Sequence, residues 1–309
     1  SNITNLQRLN PAATFVINSS IPNTQAAGFN LNAGTLRLAS GASLNAASSG
    51  DNTVHAGALG ATLQVNGSFT PLSAATGLAD VAIPIVASAA LTIGNTDLSD
   101  LHSHGIVALS AANTLPAITI NYAGLAVASQ AALGAGPVTL NHAYLGLYSL
   151  KPAFPATTAT YTNTLNVIGD SLLTDASDVH PSSSTFHNST ASSLAVGTVN
   201  LGALLQLQYR VDSFTIAELH PTADSTLALV NPFTPVSISA LTADTSSHAL
   251  TFKGLGGHAT FNITGPAADT GPIFVDNATL NFQGSVASSS GEALNAAIRQ
   301  GGGRAVHIL

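Results

Sequence analysis

Two stretches decide how this chain folds: "ITINYAGLAVAS" (118–129) and, 20 residues on, "VTLNHAYLGLYS" (138–149). Thr, Asn, Ala, Leu and Ser recur at the same five offsets, and "QAALGAGP" (130–137) separates the copies. A unit of this length, made of short strands and Gly/Ala/Asn corners, is the mark of a coil in which each turn pairs with the next. Identical offsets then place like on like: Asn121 over Asn141 and Leu125 over Leu145. One rung cannot bury its own apolar face, but neighbouring rungs bury each other's.

The rest of the chain reads the same way. Alternating segments recur at "TFVIN" (14–18), "GTLRLAS" (34–40), "ATLQVNG" (61–67), "ALTIG" (90–94) and "GIVALS" (105–110). They continue at "GTVNLGALLQLQYRV" (197–211), "DSTLALV" (224–230), "PVSISAL" (235–241), "HALTFKG" (248–254), "ATFNITG" (259–265), "PIFVD" (272–276) and "ATLNFQG" (278–284). Each is bounded by Gly, Asn, Asp, Ser or Pro, which supply turn geometry. Looser echoes of one unit link 61–68 with 278–285, and 30–40 with 139–149.

The expected fold is therefore all-β: a parallel β-helix, or β-solenoid, forming a single domain over 1–309. A β-sandwich of antiparallel hairpins is the alternative; against it, Asn66-Gly67 is the one Asn-Gly or Asp-Gly hairpin signal. At about 20–25 residues per rung the chain affords about 11–14 rungs. Two Pro/Ser/Thr-rich stretches, 151–164 and 180–193, read as protruding loops. In "SSGEALNAAIRQGGG" (289–303), Ser289 and Glu292 have capping-box spacing, and Leu294, Ala297 and Ile298 share one helical face. A short helix is expected there as a cover for the end of the stack, followed by a last strand in "GRAVHIL" (303–309).

The stretch "ALGAGPVTLNHAYLGLYS" (132–149) resembles the autotransporter-associated β-strand repeat, and "LNAGTLRLAS" (31–40) resembles the second half of that unit. The likeness covers about a sixth of the chain, with His142, Ala143 and Tyr144 in place of small turn residues. It implies a right-handed parallel β-helix displayed on, or released from, a bacterial surface. Under that reading Ser1 is an end made by processing.

Composition narrows the partners. Seven basic and 14 acidic residues make only 7% charged, against 45% apolar, with net charge −7. The basic residues are scattered, so nucleic acid is not an expected partner. Cysteine is absent, which removes disulfides and thiol chemistry. The most apolar run, 81–94, contains Pro84 and is too short to span a bilayer.

Motifs that carry chemistry are few. "NVIGDSLLTD" (166–175) places Ser171 as the nucleophile of a GDSL-type esterase would be placed. The downstream Asp-x-x-His block of that family is missing, however, and "DTSSH" (244–248) is one residue too long. In "NTDLSDLHSHG" (95–105), Asp97, Asp100, His102 and His104 lie within eight residues, and an extended backbone puts both histidines on one face. That suits two ligands of a divalent metal, Ca or another, with a solvated turn as the alternative. Asp170, Asp175, Asp178 and His180 form a similar acidic loop without the regular calcium nonapeptide. Ice binding through stacked Thr-x-Thr rows finds one match, "TNT" (162–164). No other cofactor is indicated.

The function expected is a non-enzymatic extracellular or cell-surface structural protein that adheres or self-assembles by end-to-end strand pairing. A carbohydrate-binding or carbohydrate-degrading β-helix, with surface glycans as partners, is the alternative. Tyr122, His142, Tyr144 and Tyr148 are where the repeat departs from small residues, and they are the candidate binding face.

Overall fold

The computed structural model describes residues 112–127, 129–147, 158–174, 193–209, 211–231, 234–242, 248–268 and 271–284, with separate strands between 14 and 109 and at 298–300 and 305–308. Nearly everything described is strand, and among the described residues every strand pairing is parallel. Parallel neighbours one coil turn apart define a β-solenoid, and the antiparallel hairpins that the sandwich alternative needs are not found among the described residues. Two compact units result, one built from strands between 14 and 147, the other from strands between 158 and 308.

In the first unit, one sheet stacks Thr14–Ile17, Thr35–Leu38, Ala61–Val65, Leu91–Gly94, Ile118–Asn121 and Val138–Asn141 in that order. A second sheet stacks Ile21–Asn23, Ser43–Ala46, Leu78–Val81, His104–Leu109, Ala123–Val127 and Tyr144–Leu147. A third, shorter face pairs Phe29–Leu31, Val54–Ala56 and Ile85–Ala87. The first three coil turns thus give one strand to each face, the fourth reaches the third face only through the single bridge of Thr114 to Val86, and the doubled twelve-mer is two successive turns of two strands each. Asn121 registers on Asn141 and Leu125 on Leu145, as the 20-residue offset requires.

The corner between those turns holds a helical turn the sequence reading did not anticipate, Gln130–Leu133, with Ala132 and Leu133 buried. Asn113 fastens it across rungs. Its Oδ1 accepts from the Ile85 amide at 2.8 Å and its Nδ2 donates to the Ala132 carbonyl at 2.7 Å. One side chain so satisfies two backbone groups that a tight corner leaves without ladder partners.

In the second unit, Thr158–Tyr161 and Leu165–Val167 both pair onto the long strand Ser193–Leu201. Above it stack Ser213–Pro221, Val236–Ile238, Ala259–Ile263, Ala278–Phe282 and Ala305–Ile308. The other sheet runs Ser171–Thr174, Leu204–Gln208, Ser225–Leu229, Leu250–Gly254, Ile273–Asp276 and Ile298–Gln300. Alternation in 193–201 breaks at Gly197 and Thr198, both half-exposed, so the strand bends there and begins a new face. A Cβ at Gly197 would lie 2.7 Å from the Thr162 carbonyl oxygen, so the bend needs glycine.

Several expectations change. The stretch 151–164, read as a loop, contains the strand Thr158–Tyr161, and the run 197–211 is two strands with a corner at Gly202 and Ala203. The expected helix does not run through Ile298, because Ile298–Gln300 forms a strand on Ile273–Val275. Adding one more rung outweighs a weak helical propensity. Residues 289–297 and 301–303 of that helix, and 180–192 of the second loop, lie outside the described residues. The tail does form a last strand, Ala305–Ile308 on Thr279–Phe282.

The core is a set of columns. Ile118, Ile120, Val138 and Leu140 face Leu125, Val127, Leu145 and Leu147, each at most 1% exposed. In the second unit Phe214, Val236, Phe261 and Leu280 form one column and Ile216, Ile238, Ile263 and Phe282 the next. Alternation sends the intervening side chains outward, which is where a site must be sought.

Candidate functional site

One register position of the first sheet forms a row that no stretch of sequence displays. Thr14, Thr35, Thr62, Thr92, Thr119 and Thr139 occupy one register position on six successive strands. Their neighbours along the strand, such as Leu91, Ile93, Ile118 and Ile120, are buried, while Thr92, Thr119 and Thr139 are half-exposed. Stacked strands are about 4.7–4.9 Å apart, so the row is a regular array at that spacing. The hydroxyls of Thr92, Thr119 and Thr139 have no hydrogen-bond partner among the described residues.

Two residues along, the same rungs carry amides. Asn141 Nδ2 donates to Asn121 Oδ1 at 3.3 Å. The motif returns in the second unit, where Asn200 Nδ2 donates to Asn166 Oδ1 at 2.8 Å and Asn281 Nδ2 to Asn262 Oδ1 at 2.8 Å. Each pair spends one donor of one amide and one acceptor of the other, and keeps the rest for solvent or a partner.

The third column is aromatic. Directly after the amides, Tyr122 (φ +49°) and His142 (φ +48°) turn the corner in the left-handed region. Their rings stack with centroids 4.8 Å apart and planes inclined by 21°. Bulky residues adopt that backbone conformation at a cost of roughly 1–2 kcal/mol, which glycine at either position would avoid. His142 is exposed and Tyr122 half-exposed.

Of the four residues expected to form a binding face, Tyr122 and His142 are therefore brought together. Tyr144 is not on that face: it is 1% exposed, in a strand whose residues are buried on both sides. Tyr148 lies outside the described residues. So do Asp97, Asp100 and His102 of the metal candidate; His104 opens the strand His104–Leu109. Among the described residues no group of three His, Cys, Asp or Glu is placed to hold a metal.

The esterase-like serine is built into the fold. Ser171 is 5% exposed and its hydroxyl donates to the Gly169 carbonyl at 2.7 Å, closing its own turn. Beside it, Asp170 Oδ1 accepts from the Leu204 amide on the next rung at 3.2 Å. The "GDS" stretch is thus a corner whose two polar side chains hold backbone. Another carboxylate on an outer face, Glu218, is held by two threonines: Thr198 Oγ1 donates to one oxygen at 3.2 Å and Thr242 Oγ1 to the other at 2.9 Å.

In physical terms the candidate site is a strip of three parallel columns, hydroxyl, amide and aromatic, with no Asp, Glu, Lys or Arg on rungs 118–122 and 138–142. It offers many hydrogen bonds and neither the paired carboxylates of a glycoside hydrolase nor a cluster of lysines or arginines. No helix among the described residues is long and apolar enough to cross a membrane. Comparison with protein-family models, with curated proteins and with solved structures finds no match to this chain.

Proposed function

We propose that this chain is a non-enzymatic structural protein of the cell surface or extracellular space, a β-solenoid that adheres through its outer faces and assembles through its strand edges. One observation carries the reading. Among the described residues, Thr14–Ile17 pairs on one side only, with Thr35–Leu38, and Ala305–Ile308 on one side only, with Thr279–Phe282. An open strand edge carries a row of unpaired N–H and C=O groups, a template for another chain. A parallel stack accepts a further parallel strand at its open edge, so the last strand of one copy can dock on the first strand of the next. Such a contact is heterologous and grows without closing. The weak charge of the chain removes much of the repulsion that keeps copies apart. The extracellular location is carried over from the resemblance to the surface repeat.

Sedimentation and electron microscopy over a concentration series test the reading. Assembly should grow with concentration, and Val16→Lys, at an edge-strand residue 49% exposed, should suppress it. Particles that stay monomeric at high concentration would overturn self-assembly.

A further inference from the structure

We infer that the strip formed by Thr119, Thr139, Asn121, Asn141, Tyr122 and His142 binds a neutral, extended polysaccharide. The inference deepens the adhesive half of the function proposed above and is independent of assembly through strand edges.

The argument begins with what the strip lacks. Its six side chains include no carboxylate, ammonium or guanidinium, so the strip lacks the fixed cations that dominate recognition of phosphate, sulfate or uronate groups. It exposes no aliphatic patch of the kind that forms the dry centre of a protein interface. What remains is a surface rich in neutral donors and acceptors, which fits a partner rich in neutral hydroxyls.

The arrangement then narrows the partner to a polymer. The Thr119 and Thr139 hydroxyls have no partner among the described residues, and the Asn121–Asn141 pair leaves amide hydrogens and oxygen lone pairs available. These groups repeat at the strand spacing, about 4.8 Å, comparable with the step from one sugar to the next along an extended chain. A single sugar would use one rung; a chain laid along the stack uses them in succession, and binding energy accumulates with length.

The aromatic column supports a sugar over an ordered water surface. Tyr122 and His142 join apolar ring bodies to polar tips, the pairing that suits a partner with C–H faces and O–H edges. Neither the phenol hydroxyl of Tyr122 nor the ring nitrogens of His142 have a hydrogen-bond partner among the described residues. Both rings are kept at positions where φ near +50° would favour glycine. The matching strip of the second unit differs: Thr279 Oγ1 is hydrogen-bonded to His258 Nε2 at 2.7 Å, and the residue after Asn281 is the buried Phe282. That strip serves as an internal control.

The test is co-sedimentation of the full chain with insoluble cellulose, chitin and a β-1,3-glucan, beside the acidic polymer polygalacturonate. A parallel arm measures thermal hysteresis and ice recrystallisation. Binding to at least one neutral polymer is expected, with little effect of salt. The double variant Thr119→Glu/Thr139→Glu should weaken it about tenfold or more, as loss of several hydrogen bonds and a buried charge would. Tyr122→Gly/His142→Gly should weaken it as well while the protein still melts cooperatively, since both positions accept glycine. Thr279→Glu should leave binding unchanged. Binding to no neutral polymer, preference for the acidic one, activity on ice alone, or equal loss with Thr279→Glu would each overturn the inference. Assembly is read separately by sedimentation without polymer, so its failure does not imitate a failure here.

Discussion

Asn200 donates to Asn166 across 34 residues of sequence, at 2.8 Å, from adjacent rungs of one sheet. The bond locks the register at the point where the long strand Ser193–Leu201 starts its second face. In parallel stacks a slip of one residue would turn every core side chain outward, so a polar contact that forms only in register adds specificity to packing.

Replacing Asn200 with alanine should lower stability by about 0.5–1.5 kcal/mol, the net worth of one hydrogen bond. Asn166 is half-exposed, so water can satisfy its freed oxygen and the larger penalty of a buried orphan does not apply. Asn141→Ala, which removes a longer 3.3 Å bond, should cost less. Urea midpoints of the two variants give the comparison, and equal or reversed losses would count against a register role.

The contrast between Asn121–Asn141 and the threonine row shows what the sequence discloses. The asparagines, like Leu125 and Leu145, recur after 20 residues with identical offsets, so their stacking is legible by inspection. The threonines stack just as regularly, but the gaps between them are 21, 27, 30, 27 and 20 residues, because corners vary in length while strands do not. No fixed period marks them. The stretch "LNAGTLRLAS" misleads for the same reason. Its strand Thr35–Leu38 belongs to the sheet of Val138–Asn141, not to that of Tyr144–Leu147, which it resembles in letters. Tyr144 was hidden differently. Alternation sets it opposite the inward Leu145, and nothing in the sequence says that both sides of that strand are covered.

Alternation itself gives a sharp test in Ala259–Ile263. Phe261 is fully buried, 5.1 Å from the ring of Phe252 between centroids, whereas its neighbour Thr260 is half-exposed. Phe261→Ala should destabilise by about 3–5 kcal/mol through lost burial and a cavity. Thr260→Ala should stay within roughly 1 kcal/mol, a strand-propensity effect. Thermal melts of the pair read the difference, and similar losses would refute the assigned faces.

Gly94 ends the strand Leu91–Gly94 with φ +93°, and a Cβ there would collide with the Asn121 carbonyl oxygen on the next rung. That carbonyl belongs to the backbone and cannot swing aside. Gly94→Ala should therefore cost about 2–4 kcal/mol, combining left-handed strain with overpacking. Because the clash falls on the rung that carries Asn121 and Tyr122, hydrogen exchange should show the added opening at 118–123 first. Uniform exchange across the first unit would argue against a local clash.

Alkaline pH should expose the two buried phenols of the second unit. Burial raises the pKa of both Tyr161 and Tyr209 well above the ordinary value of about 10. In the unfolded chain each ionises near that ordinary value, while in the fold each keeps its proton. Above pH 10 the folded state thus binds more protons than the unfolded one, and stability must fall as pH rises. Below pH 10 both states are protonated and the groups contribute no slope. Each tyrosine adds up to about 1.4 kcal/mol of lost stability per pH unit in that window. Tyr209 lies against Phe214, rings stacked at 4.4 Å, and its buried hydroxyl has no hydrogen-bond partner among the described residues. Tyr209→Phe should therefore keep the packing, cost little at pH 7 and roughly halve the alkaline slope that the two phenols contribute. Urea midpoints at pH 8, 10 and 11 measure it, and an unchanged slope in the variant would show that Tyr209 does not hold its proton as the fold requires.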